Sequence, residues 1–141
     1  MSLFLTAKRF LLAPLASAAL VGCGAIEPPP QEYPHVTVTF DITVPAETPA
    51  ETVVTLVGSD PVMGADTRPG FRLRRQREGH YTGLLRLALG ADVSYELWQD
   101  VVWSPELTAE GSRAPRRSFH VDGDMTVTAT VARWGSPGKG P

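Results

Sequence analysis

Cysteine is nearly absent from this chain: Cys23 is the one example in 141 residues. No internal disulfide can form, so stability must come from a packed core. Helical periodicity is missing too. No segment sustains a 3.6-residue spacing of apolar side chains, and thirteen glycines with thirteen prolines divide the chain into short runs. The apolar run from Phe10 to Val21 is about a dozen residues, too short for a comfortable membrane span. Metal-ligand spacing is lacking: His35, His80 and His120 stand far apart and share no pattern with carboxylates. No serine, histidine and aspartate stand in a nucleophile context. Gly58 and Gly64 do not lead into a helix, so there is no phosphate-cradling loop. No catalytic residue, no metal and no cofactor is therefore assigned.

What is present suits a β-rich single domain. The chain is 43% hydrophobic and 20% charged, enough to build a core and too apolar for disorder. Val36, Val38, Phe40, Ile42 and Val44 alternate with Thr37, Thr39, Asp41 and Thr43, which predicts a half-buried strand. Thr52 to Gly58 reads as a second and more central strand. A long turn follows at Gly58-Ser59-Asp60-Pro61, and then a short third strand in which Phe71 and Leu73 alternate with Arg72 and Arg74. Arg117 to Val121, closed by Asp122-Gly123, and Met125 to Val131 are two more.

The stretch from Tyr81 to Trp103 supplies the remaining two arms and organises the rest. Tyr81, Leu85, Leu87 and Leu89 fall at period two, then Gly90-Ala91-Asp92 turns, then Val93, Tyr95 and Leu97 fall at period two. The expectation is a β-hairpin with Trp98 and Trp103 crowded at its end. About seven short strands without helices predict an all-β fold, an immunoglobulin-like antiparallel β-sandwich, with a small barrel as the alternative.

The ends carry a different signal. Lys8 and Arg9, the apolar run and then Leu20-Val21-Gly22-Cys23 resemble a bacterial lipoprotein signal. That resemblance implies cleavage before Cys23, lipidation of Cys23 and anchoring to a membrane through several acyl chains, which hold where one is marginal. Residues 1–22 are then signal peptide, and 23–35 form the lipidated cysteine and a proline-rich tether through Pro28-Pro29-Pro30. The domain occupies 36–134, and 135–141 form a flexible tail. Loss of Lys8 and Arg9 makes the formal charge of −2 two units more negative, which argues against a nucleic-acid partner. Gly24 stands where the lipoprotein pattern reads aspartate as inner-membrane retention, so the expected place is the cell envelope, with the outer membrane favoured.

Two surface features invite a binding role. Five arginines lie between Arg68 and Arg77; they are an anion patch or, preferably, the wet face of an edge strand. Trp98 should point away from the face that buries Tyr95 and Leu97, and Trp103 precedes a long polar loop. Exposed indoles are platforms on which pyranose rings stack. The alternative, that they pack under the Ser104 to Pro115 loop, stays open. Glu96 lies opposite Tyr95 and Leu97 and is read as solvated.

From Val36 to Trp134 the chain resembles the starch-binding domain, carbohydrate-binding module family 20. The matching steps are Val38-Thr39-Phe40, Leu56-Val57-Gly58-Ser59, Pro61-Val62-Met63-Gly64, Tyr81 with Leu85 to Leu89 and Gly90, Tyr95-Glu96, Trp103, and Arg116-Arg117. The resemblance implies an immunoglobulin-like sandwich that binds α-glucans without catalysis. The family's main sugar site uses two tryptophans, a lysine and an asparagine. Here Ala65-Asp66 stand at the first tryptophan, Glu96 at the lysine and Arg116 at the asparagine, while Trp103 keeps its place. The expected sugar-binding residues are accordingly Trp103, flanked by Trp98, Glu96 and Arg116, with Trp98 as a replacement platform. The expected partner is a polysaccharide or oligosaccharide, α-glucan favoured. The alternative is an interaction module for another envelope protein that has kept the sandwich and lost the sugar.

Overall fold

A computed structural model describes residues 32–100 and 102–136. The lipoprotein signal, Cys23, most of the tether and the end of the tail lie outside the described residues. Among the described residues, ten strands follow in chain order: β1 (His35–Thr43), β2 (Val54–Gly58), β3 (Phe71–Arg72), β4 (Arg74–Arg77), β5 (His80–Ala88), β6 (Asp92–Gln99), β7 (Ser104–Leu107), β8 (Arg117–His120), β9 (Met125–Thr130) and β10 (Arg133–Trp134). They make two sheets. One runs β4-β5-β1-β9; the other runs β10-β7-β6-β2-β3, with β8 also paired to β6. The fold is the expected immunoglobulin-like sandwich. The added strands are short pieces at its edges and within loops.

The alternation read from β1 is the alternation that buries it. Val38, Phe40 and Ile42 are fully buried, and the intervening Thr39 and Asp41 face outward. β1 pairs antiparallel with β5 along nine residues, His35↔Ala88 to Thr43↔His80. Its other edge pairs with β9 in parallel, Val38↔Met125 to Thr43↔Thr130. This pair departs from antiparallel pairing and leaves β9 as the edge strand of its sheet. Phe40, Tyr95 and Phe119 meet edge-to-face at centroid distances of 5.3 to 6.0 Å and form the aromatic centre of the core.

The expected hairpin from Tyr81 is not one. β5 and β6 lie in different sheets: β5 pairs with β1 and β4, and β6 with β2, β7 and β8. The turn at Leu89-Gly90-Ala91 is an arch over the core. Gly90 takes φ of 82°, and its N–H donates to the Val121 carbonyl at 2.8 Å. The physical reason is that both arms carry a full apolar face. Placed across the sandwich, Tyr81, Leu85 and Leu87 look directly at Val93, Tyr95 and Leu97. Burial of each such side chain is worth about 1.5–3 kcal/mol. β5 also has both edges occupied, so no ladder is left for β6. Leu89, expected in the buried set, is exposed at the start of the arch.

The predicted third strand is similarly divided. Phe71 and Arg72 pair with β2 in one sheet, and Arg74 to Arg77 pair with β5 in the other. Buried Leu73 is the crossing point, its N–H donating to the Val54 carbonyl at 2.8 Å.

Candidate functional site

β6 runs through the middle of its sheet. Tyr95 and Leu97 face the core, so Ser94, Glu96 and Trp98 line the outer face. Across the ladder, Thr55 of β2 and Pro105 of β7 stand directly opposite Trp98, and Val57 stands opposite Glu96. Thr55 and Val57 are buried although they point outward. Two loops cover this face, and between them they form the candidate site.

The first loop joins β2 to β3. Asp60 caps a short 3₁₀ turn by accepting from the Val62 N–H at 2.9 Å, and Met63 plugs into the core with no exposed surface. The loop then returns tightly to β2. A Cβ on Gly70, at φ 70°, would stand 2.3 Å from the Leu56 carbonyl oxygen, so the approach needs glycine there. This closeness sets Asp66 and Arg68 over the sheet. The second loop joins β7 to β8 and is closed by Thr108 N–H to the Ser112 carbonyl at 2.8 Å and Ala114 N–H to the Glu106 carbonyl at 3.1 Å. It carries Arg113 and Arg116.

Trp98 is the floor of the site and is not the exposed platform expected of it: 7% of its surface is accessible. Alternation correctly turned it away from the core, but the loops fill the space that alternation assigns to water. The Arg113 guanidinium lies 4.8 Å from its ring centre and that of Arg68 5.4 Å. Its Nε1 donates to Glu96 Oε2 at 3.2 Å, and Arg113 donates to the same oxygen at 3.0 Å. Glu96 is therefore held between a cation and an indole rather than freely solvated. The cleft between these groups and Pro105, Ala114 and Pro115 measures about 10 Å³, room for a single water. No sugar ring enters beneath Trp98.

Trp103 lies above this floor, half-buried, with its ring centre 6.4 Å from that of Trp98 at 66°. Its backbone φ is 47°, a left-handed conformation that costs a bulky L-residue about 1–2 kcal/mol. Its N–H reaches the Asp100 carbonyl at 3.3 Å. Among the described residues, the other non-glycine residues with positive φ are Ala65 and Asp66, in the first loop. Strain of this kind concentrates at ligand sites.

Arg116 sits toward the opposite end of the same face. It donates from Nε to Ser94 Oγ at 2.9 Å and pairs with the Asp66 carboxylate. Ser94 and Trp98 are four residues apart on one strand, so Arg116 is placed about 13 Å along the sheet from the tryptophans. Glu96, Trp98 and Trp103 are brought together, with Arg116 at the rim. Asp66, Arg68 and Arg113 complete the cluster, and none of the three is among the expected sugar-binding residues. Arg68 had been grouped with the arginines of an edge strand. It belongs instead to the loop, 4.6 Å from the Trp103 ring centre. No periodicity or spacing signals a loop residue folding onto a distant indole.

On the core side of the sheet, Arg117 forms a two-bond pair with the buried carboxylate of Glu106, including Nη2 to Oε1 at 2.6 Å. This hydrogen bond raises the arginine's already high pKa, against the opposing effect of burial. Burial also raises the Tyr95 phenol, which stays neutral beneath the site. Among the described residues, no group of three or more His, Cys, Asp or Glu could hold a metal ion. No helix of the described residues is long and apolar enough to cross a membrane.

No family model matches the chain. It is 34% identical over 119 residues to an alpha-amylase of Niallia circulans, an alignment that takes in 84% of this chain and 9% of that protein. The chain thus matches only a small part of the curated relative's length. Among solved structures, its fold is similar to part of a glycoside hydrolase family 15 glucoamylase from Hypocrea jecorina, with a TM-score of 0.58 and 21% identity over 78% of this chain and 19% of that one. A glucoamylase of Hormoconis resinae is similar at a TM-score of 0.50 and 18% identity, over 73% of this chain and 18% of that one. These structural likenesses show a shared fold.

Proposed function

We propose that this protein is a non-catalytic, starch-like α-glucan-binding module, displayed on the bacterial envelope by a lipid anchor at Cys23. The observation that carries the sugar-binding reading is the Trp103 indole, half-exposed on a strained backbone at the outer face of one sheet. Pyranose rings stack on such a surface through their apolar C–H faces, and neighbouring donors bond the hydroxyls. The ligand class is supported by the aligned stretch of an alpha-amylase. That stretch is a small fraction of the enzyme's length, as expected of a binding appendage. The carboxylates at the site also favour binding over catalysis. Glu96 is committed to Arg113 and Trp98, and Asp66 to Arg116, so neither is free to serve as a general acid.

Carbohydrate-binding module family 20 remains the proposed family, with Trp103 as its retained platform. Titration of the protein with maltooligosaccharides and soluble starch, followed by tryptophan fluorescence, tests the ligand. A saturable change is expected. No response at millimolar sugar from the folded protein overturns the α-glucan reading. Radiolabelled palmitate incorporation that survives in Cys23→Ser would overturn the proposed anchor.

A second reading has its own support. The substituted positions pair with charged neighbours: Glu96 with Arg113, Asp66 with Arg116. A site so neutralised fits an envelope protein-interaction module that has left sugar behind. Specific recovery of one envelope protein, lost in Trp103→Ala, together with no sugar response, would favour it.

A further inference from the structure

The guanidiniums of Arg68 and Arg113 lie over the two tryptophans, Arg116 stands at the rim, and the three charges are not treated alike. Arg113 is neutralised by Glu96, and Arg116 by Asp66. Arg68 has no carboxylate within ion-pair distance among the described residues. Its guanidinium instead lies 4.6 Å from the Trp103 ring centre and 5.4 Å from that of Trp98. A cation over a ring is held by its charge and makes no call on its N–H donors, and no Arg68 N–H bonds a protein acceptor among the described residues. The N–H edge is a ready fork for two parallel hydrogen bonds to a carboxylate or phosphate. Arg68 is itself exposed, so the edge is open to a ligand lying along Trp103.

We propose that the Arg68–Trp103 pair binds an anionic glycan: a sugar ring on or beside the indole, with a phosphate ester or uronate carboxylate of the same chain received by the Arg68 guanidinium. This rests on the sugar-binding reading of Trp103 and specifies its substrate class. Position and charge both favour it. The first loop is pinned by Met63 and Gly70, so Arg68 is presented from a held backbone rather than a free arm. The carboxylates that would repel an anion are each already bound to another arginine. A neutral glucan would leave Arg68, the one uncompensated cation at the site among the described residues, without a partner.

The test compares maltoheptaose with the same oligosaccharide carrying one 6-phosphate, or one 6-carboxylate, by calorimetry on the purified protein. The anionic ligands should bind about tenfold more tightly, as one charge-assisted contact of roughly 1.4 kcal/mol would give. The preference should shrink as salt is raised. Arg68→Gln should abolish the preference, whereas Arg86→Gln, an equal charge loss on the other sheet, should keep it. Equal binding of neutral and anionic sugars by the wild type overturns this inference and leaves glucan binding standing. Binding of neither overturns both. Inorganic phosphate binding as tightly as the phosphorylated sugar would show a simple anion site and overturn the glycan assignment, as would a preference that survives Arg68→Gln in a variant shown to be folded by circular dichroism.

Discussion

The guanidinium of Arg68 is centred 4.6 Å from the Trp103 indole, joining the loop after β2 to the turn after β6. The two segments are distant in sequence, and their meeting turns the outer face of a central strand into a defined site. Trp98 lies beneath both. The site is thus layered: a buried indole as floor, a half-exposed indole above it, and arginines over each.

The layering predicts opposite behaviour for the two tryptophans. Trp98→Ala removes a buried ring packed between Arg113, Arg68 and Pro105, and should cost about 3–5 kcal/mol of stability. Trp103→Ala should cost less than about 1 kcal/mol, because its ring is partly exposed and the left-handed backbone cost, which arises at Cβ, is the same for alanine. Urea denaturation of both variants measures this. Equal losses would show that Trp103 is also a packing residue.

Arg117 predicts a second stability effect, separate from binding. The Glu106 carboxylate is buried, with 6% of its side chain exposed, and Arg117 neutralises it from a position 28% exposed. Arg117→Ala strands that charge and should destabilise by roughly 3 kcal/mol, the lower end for broken buried pairs because the arginine keeps some solvent. Joint replacement of both residues by apolar ones should recover much of the loss. A change under about 1 kcal/mol for Arg117→Ala would contradict the pairing.

His120 gives the expected pH dependence. Its Nδ1 is 2.7 Å from Asp92 Oδ1, and Nε2 is 3.7 Å from Asp122. The hydrogen bond to Asp92, more than the charges of Asp92 and Asp122, raises the imidazole above its ordinary 6.5. A raised folded-state value means that the contribution is fully present below the unfolded value. It is lost as pH rises through the folded one. The denaturation midpoint should therefore fall slightly across that window, and Asp92→Asn should flatten the slope. A midpoint that rises through the same window in the wild type alone would contradict it.

Much of the sandwich was legible because a strand's inside and outside follow from alternation. Val38, Phe40 and Ile42 declared their burial, as did Tyr81, Leu85, Leu87, Tyr95 and Leu97. Alternation does not say which strand lies alongside. The Tyr81 to Trp103 arms therefore read as partners in one ladder, whereas they face each other across the core. Leu73 crossing between sheets was hidden for the same reason. The site was less legible than the fold. Glu96 and Trp98 could be placed on the outer face, but an outer face is wet only if nothing covers it. The cover comes from Gly70, Met63 and Arg113, in loops without a period. Trp103 and Glu96, which the sequence singles out, lie on this face, whereas Arg68, which reads as part of an edge strand, belongs to a loop.

The account's central claim is that Trp103 is a glucan-stacking residue, and calorimetry of maltoheptaose binding to the wild type and to Trp103→Ala tests it most directly. The wild type should bind saturably, and the variant, still folded, should bind at least about tenfold more weakly. A wild type that does not bind at millimolar sugar, or a variant that binds as well as the wild type, would contradict it.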